Sequence, residues 1–89
     1  MNRKAFELAL TGDGFENVGL KEMEPNCHND AHAHDFDVRA MVVEGDITLT
    51  VDGKKRKYSP GDIIEMERGC MHIEDVGDQG MKFVVGRRA

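Results

Sequence analysis

The spacing of hydrophobic and polar positions changes its period once along the chain. At the start, Ala5, Phe6, Ala9 and Leu10 recur at helical intervals, which predicts a helix with one apolar face. Asn2 stands where an N-cap belongs, and TGDG at 11–14 places two glycines where the helix must stop. A helix this short is marginal alone, so it must dock on something. From residue 15 onward, short runs alternate with turn formers. FENVGLKEME (15–24) reads as a ragged strand, PNCHND (25–30) as a loop and VRAMVVE (38–44) as an apolar strand. EGD (44–46) reads as a turn, and ITLTV (47–51) alternates, with Ile47, Leu49 and Val51 on one face. Asp52-Gly53 is a two-residue hairpin signal, and KKRKY (54–58) is the returning arm. SPGD (59–62) turns again, IIEME (63–67) and CMHIEDV (70–76) are strands, GDQG (77–80) is a turn and MKFVVGR (81–87) is the last strand. Seven or eight short strands at regular spacing predict an all-β sandwich or barrel over 15–89, with the 1–14 helix packed on or beside it.

Length and charge narrow the classes. A chain of 89 residues is one domain with a thin core, so a second subunit or a bound metal would add to its stability. A net charge of −5 argues against a nucleic-acid binder. The basic run KKRK fits better as exposed charge guarding a hairpin edge. No apolar stretch approaches the roughly 20 residues needed to span a bilayer. The N-terminal stretch also lacks the apolar core of a signal peptide. No membrane partner is expected, and the cytoplasm is the expected location. Cys27 and Cys70 are too few for a disulfide framework and read as free thiols.

The candidate chemistry begins at DAHAH, residues 30–34. Side chains on a strand alternate between faces. His32 and His34 therefore share a face, which Val38, Ala40 and Val42 continue if the strand is unbroken. That apolar face should point into the barrel, with the histidines at its mouth. On a later strand Cys70 and His72 share parity. Three imidazoles from two strands make a plausible site for a transition metal, because neutral imidazole is a common ligand. Rigid strands would also leave coordination positions open. Met41 and Val43 point the other way and need cover, either from Phe6 and Leu10 of the helix or from a second subunit.

HAH followed by VVEGD, and then SPGDIIEMERGCMH, resemble the two motifs of the cupin superfamily. The resemblance covers residues 15–89 and implies a jelly-roll, or double-stranded β-helix, barrel, which the short N-terminal α-helix read above precedes. His32 and His34 match the first motif's pair and Gly45 its closing glycine. Gly61, Gly69 and His72 match the second motif. Two positions depart from the pattern: Val38 stands where the family places a glutamate ligand, and Glu67 where it places a proline. Asp37 is adjacent, but its parity points it outward. His28 has the inward parity and is a possible additional ligand, from a loop. The implied cofactor is a divalent transition metal (Fe, Zn, Ni, Cu or Mn) on His32, His34 and His72, with Val38, Val42 and Cys70 lining the pocket. Without a carboxylate the ion keeps both positive charges and should favour a small chelating organic anion. The leading activity is that of a metal-dependent dioxygenase. The alternative is a non-catalytic module that senses or carries a small molecule or metal. Small cupins commonly pair, so the resemblance also implies a homodimer.

Overall fold

A computed structural model describes residues 1–89. One helix, α1 (Arg3–Gly12), precedes six strands: β1 (Glu16–Met23), β2 (His28–His32), β3 (Asp37–Val51), β4 (Lys54–Tyr58), β5 (Ile63–Met66) and β6 (His72–Arg88). The Asn2 side chain caps α1, accepting from the Ala5 N–H at 2.8 Å. Of the four residues on its apolar stripe, Phe6 and Leu10 are buried, while Ala5 and Ala9 stay exposed. Phe6 and Leu10 pack with Phe15, Met41 and Val84, and Val43 leans on the same cluster. The helix is therefore what covers the outward face of β3. Because Leu10 is fully enclosed, Leu10→Ala is expected to cost about 2–5 kcal/mol in urea unfolding. A loss under about 1 kcal/mol would mean that α1 is not firmly docked.

β3 and β6 are long, antiparallel and paired with each other from Asp37↔Arg88 to Thr50↔Ile73. Each half of this ribbon gains different outer strands. Around the first half of β3 the order is β1-β6-β3-β5, and around the second half it is β2-β6-β3-β4. Two sheets that share two bent strands fold over one interior, which is the jelly-roll barrel. Ala40, Val42, Ile47, Leu49, Ile64, Met66, Val76 and Met81 fill it, in keeping with the inward parity of Val38, Ala40 and Val42. The Asp52-Gly53 turn joins β3 to β4, with Val51 opposite Lys54. The basic residues of β4 are exposed along a sheet edge. No helix is long and apolar enough to cross a membrane.

The pattern of breaks differs from the sequence expectation in three places. EGD does not turn the chain: Glu44, Gly45 and Asp46 lie inside β3, at irregularities in its register. GDQG likewise lies inside β6. Between the pairs Gly45↔Met81 and Ile47↔Val76, β3 advances two residues and β6 five, so GDQG bulges out where a reversal was expected. Four of the expected strands thus merge into two. The third difference is at PNCHND, whose last residues begin β2 and pair with β6 through His28↔Asp75 and Asn29↔Glu74.

Candidate metal centre

The register places His32 directly opposite His72, as cross-strand partners on β2 and β6. His34 follows β2 in an irregular stretch whose position is set by its own carbonyl, which accepts from the Gly69 N–H at 2.8 Å. Ring centroids are 4.3 Å apart for His32 and His72, 5.2 Å for His32 and His34, and 5.4 Å for His34 and His72. One ring nitrogen from each of the three lies within 4.8 Å of the others.

Two of these rings have their tautomer fixed by the backbone. His32 Nδ1 is 2.7 Å from the Asp30 carbonyl, and His72 Nδ1 is 3.0 Å from the Cys70 carbonyl. A carbonyl only accepts, so each Nδ1 carries its proton and each Nε2 presents a lone pair. That is the preparation a metal-binding histidine needs from its outer partner. His34 stacks on Phe36, with centroids 4.9 Å apart. Burial first, then the neighbouring His72 and His32 rings, hold the His34 imidazole below its ordinary pKa, in the neutral, ligand-competent form.

A carboxylate that the sequence reading did not single out sits beside them. Glu74 Oε2 is 3.3 Å from His72 Nε2, and Glu74 Oε1 is 3.9 Å from His32 Nε2. The available signal was parity, since Glu74 lies two residues past His72 on the same strand.

His28 is not brought to the cluster. Its Nδ1 faces Asp75 at 2.5 Å and its Nε2 faces Asp30 at 2.8 Å. The Asp75 bond, then Asp30, raise its pKa. A ring that holds its proton is a poor metal ligand. The pair's contribution to stability is full below the unfolded-state value near 6.5 and fades as pH rises through the raised one. Asp37 is turned away as expected, accepting from the Arg68 N–H and bridging to Arg88. Cys70 does not share the cavity with His72, because β6 begins only at His72 and Cys70 closes a turn onto the Glu67 carbonyl. Its side chain packs against the barrel core instead, and its carbonyl orients His72. Val42 is also not a lining residue; it is packed inside the core.

Val38 does line the site. A small, mostly apolar cavity of about 70 Å³ in the barrel reaches His34, His72 and Glu74. It shares Met23, Val38, Phe83 and Val85 with a wider mouth of about 500 Å³, to which Lys21 and Arg87 contribute. Lys21 has the parity of Met23, and Arg87 that of Phe83 and Val85, so both fall on the inward-facing set of their strands. The Arg87 guanidinium lies 5.2 Å from the centre of the Phe36 ring. Arg39 and Arg88 are engaged by carboxylates, whereas Lys21 and Arg87 form no ion pair.

Two sheets that share bent strands, with three histidines close enough to hold one metal ion beside their common interior, define a β-barrel of the jelly-roll class. More specifically, the chain belongs to the cupin family: the cupin-domain model matches residues 19–85. Solved structures agree. A structural-genomics protein of unknown function from Rhizobium leguminosarum bv. viciae superposes with a TM-score of 0.75 at 16% identity, over 99% of this chain and 95% of that one. The polyketide cyclase RemF from Streptomyces resistomycificus is 29% identical, with a TM-score of 0.65 over 86% of this chain and 58% of its own. Bacillus subtilis oxalate decarboxylase, which has Mn(II) centres, is 18% identical, with a TM-score of 0.67 over 78% of this chain and 20% of its own. The chain thus spans less than two thirds of the latter two, and 66% of the Halomonas KdgF it also resembles. Among curated proteins none matches the sequence.

Proposed function

We propose that this cupin holds a divalent transition metal on His32, His34 and His72 and offers it to a small organic anion. The observation that carries the reading is the convergence of three imidazole nitrogens, two with their protons directed to backbone carbonyls, beside an apolar cavity. Such a metal supplies a Lewis-acidic centre on which the anion and O2 could both bind, and oxidation of a chelating substrate is the reaction class this suits. The chain's own residues do the rest. His32 and His72 are oriented by Asp30 and Cys70. Met23, Val38, Phe83 and Val85 exclude water around the ligand. Lys21 and Arg87, which no carboxylate neutralises at the mouth of an otherwise acidic protein, draw an anion in and hold its outer end, with the Asn17 side-chain oxygen accepting from the Arg87 guanidinium.

The test is metal content by mass spectrometry on protein prepared without chelators. The wild type should carry close to one equivalent, and His34→Ala should lose it while keeping its circular dichroism. No metal in the wild type, even after anaerobic incubation with iron(II), zinc and other divalent ions, would defeat the reading. For a metal-loaded protein, oxygen uptake with diketones, thiols and carboxylates separates an oxidase or dioxygenase from a binding module, which would consume none.

A further inference from the structure

Glu74 lacks the surroundings of an ordinary surface carboxylate. Its side chain is only 19% exposed, and no lysine or arginine pairs with it. Asn29 Nδ2 donates to Oε1 at 2.7 Å. The carboxylate otherwise faces two imidazoles, and it faces them at the nitrogens that carry lone pairs. His72 Nε2 and Glu74 Oε2 are 3.3 Å apart while His72 Nδ1 is committed to the Cys70 carbonyl. His32 repeats the arrangement, with Nε2 3.9 Å from Oε1 and Nδ1 on the Asp30 carbonyl. Acceptors facing acceptors repel. A shared cation relieves that repulsion, as a second proton on either ring would, and buried charges are found paired or on metals.

The spacing admits a shared ion as well as a hydrogen bond. Ligand atoms about 2.0–2.2 Å from one metal ion lie roughly 2.8–3.6 Å from each other in tetrahedral or octahedral arrangements. The 3.3 Å between His72 Nε2 and Glu74 Oε2 falls within that span, whereas the 3.9 Å between His32 Nε2 and Glu74 Oε1 lies just outside it, so sharing one ion requires a small movement of the Glu74 side chain toward His32. Asn29 holds the other oxygen, which fixes the carboxylate's direction.

We propose that Glu74 is the fourth protein ligand of the metal, a carboxylate supplied from β6 in place of the one missing at Val38. The inference rests on the three-histidine reading above. It changes the charge of the site. With Glu74 bound, a divalent ion keeps one positive charge instead of two, so Lys21 and Arg87 become the larger attraction for an incoming anion. It also confines the protein ligands to the β2–β6 side and leaves the β3 side, where Val38 stands, lined by hydrocarbon.

The deciding experiment is a crystal structure of the zinc-loaded full chain, with the ion located by anomalous scattering at the zinc edge. Zinc on the three histidines with a Glu74 oxygen at about 2.0–2.2 Å is the expected result. Zinc on the histidines with both Glu74 oxygens beyond about 3 Å overturns the fourth ligand and leaves the histidine site standing. No zinc at the histidines overturns both. In solution, Glu74→Gln should weaken zinc binding by about 100-fold or more in chelator competition, beyond the roughly 10–100-fold of an outer-shell loss. An affinity within about threefold of wild type would overturn the inference. Cobalt(II)-loaded Glu74→Gln should bind azide more tightly than cobalt(II)-loaded wild type, as its site has one more positive charge; unchanged or weaker azide binding counts against Glu74 as a ligand.

Discussion

Gly45→Ala is expected to remove most of the protein's stability. A Cβ at this position would lie 1.9 Å from the Gly80 carbonyl oxygen, 2.8 Å from its carbon and 3.0 Å from the Met81 Cα. All three are backbone atoms, so no side chain can swing aside. The residue also has φ +74°, in the left-handed region. Gly53, at the tip of the β3–β4 hairpin, separates the two causes: its φ is +76°, yet nothing lies within 4 Å of its would-be Cβ. Gly53→Ala should therefore cost only the backbone strain, about 1–2 kcal/mol. Gly45→Ala should lose more than about 4 kcal/mol, against a total of roughly 5–15 kcal/mol for a typical domain. Urea unfolding of the two variants side by side is the measurement. Equal losses would show that β3 and the bulge of β6 do not approach as closely as described. The closing glycine of the first motif thus has a structural reason that does not depend on chemistry at the metal centre.

The second large effect is expected at His72. Only 1% of it is exposed, against half-buried His32 and His34. His72→Ala should abolish metal loading under conditions that give the wild type close to one equivalent. It should also destabilise the metal-free fold, which replacing either of the other two histidines should do far less. The reasons are a cavity among core residues and a Cys70 carbonyl left without its donor, together about 2–4 kcal/mol. Metal analysis and urea unfolding of the three single alanine variants would show the contrast. Retained metal in His72→Ala would break the proposed ligand set. Equal stability losses in all three would contradict the placement of His72 in the core.

The histidine cluster was legible because motif spacing and strand parity both apply to His32 and His72, which are true cross-strand partners. Parity turned Cys70 toward the barrel interior, where it packs, but not into the cavity beside His72, because the strand starts two residues later than its apolar sequence suggests. It was not applied to Glu74, since the motif directed attention to position 38 for a carboxylate. EGD and GDQG look like turns because glycine at positive φ serves a bulge as well as a reversal. Only the partner strand decides between them, and local sequence does not contain it. PNCHND has no alternation to mark a strand; its end becomes β2 because the first half of β6 offers an open edge. The covering of Met41 by α1 was among the expected alternatives, and the burial of Phe6 and Leu10 selects it.

The order in which the strands occur along the chain has a kinetic consequence. β6 is the last strand, yet β1, β2 and β3 all pair with it. Until it docks, β1 and β2 have no neighbour to hydrogen-bond with, and only β3 can pair, with β4 and β5. Folding dominated by such distant pairings is slow. His72, and Glu74 beside it, arrive with that same final segment. A nascent or refolding chain therefore cannot assemble the cluster before the barrel closes, and the uptake of a coloured ion such as cobalt(II) would time the last step of folding.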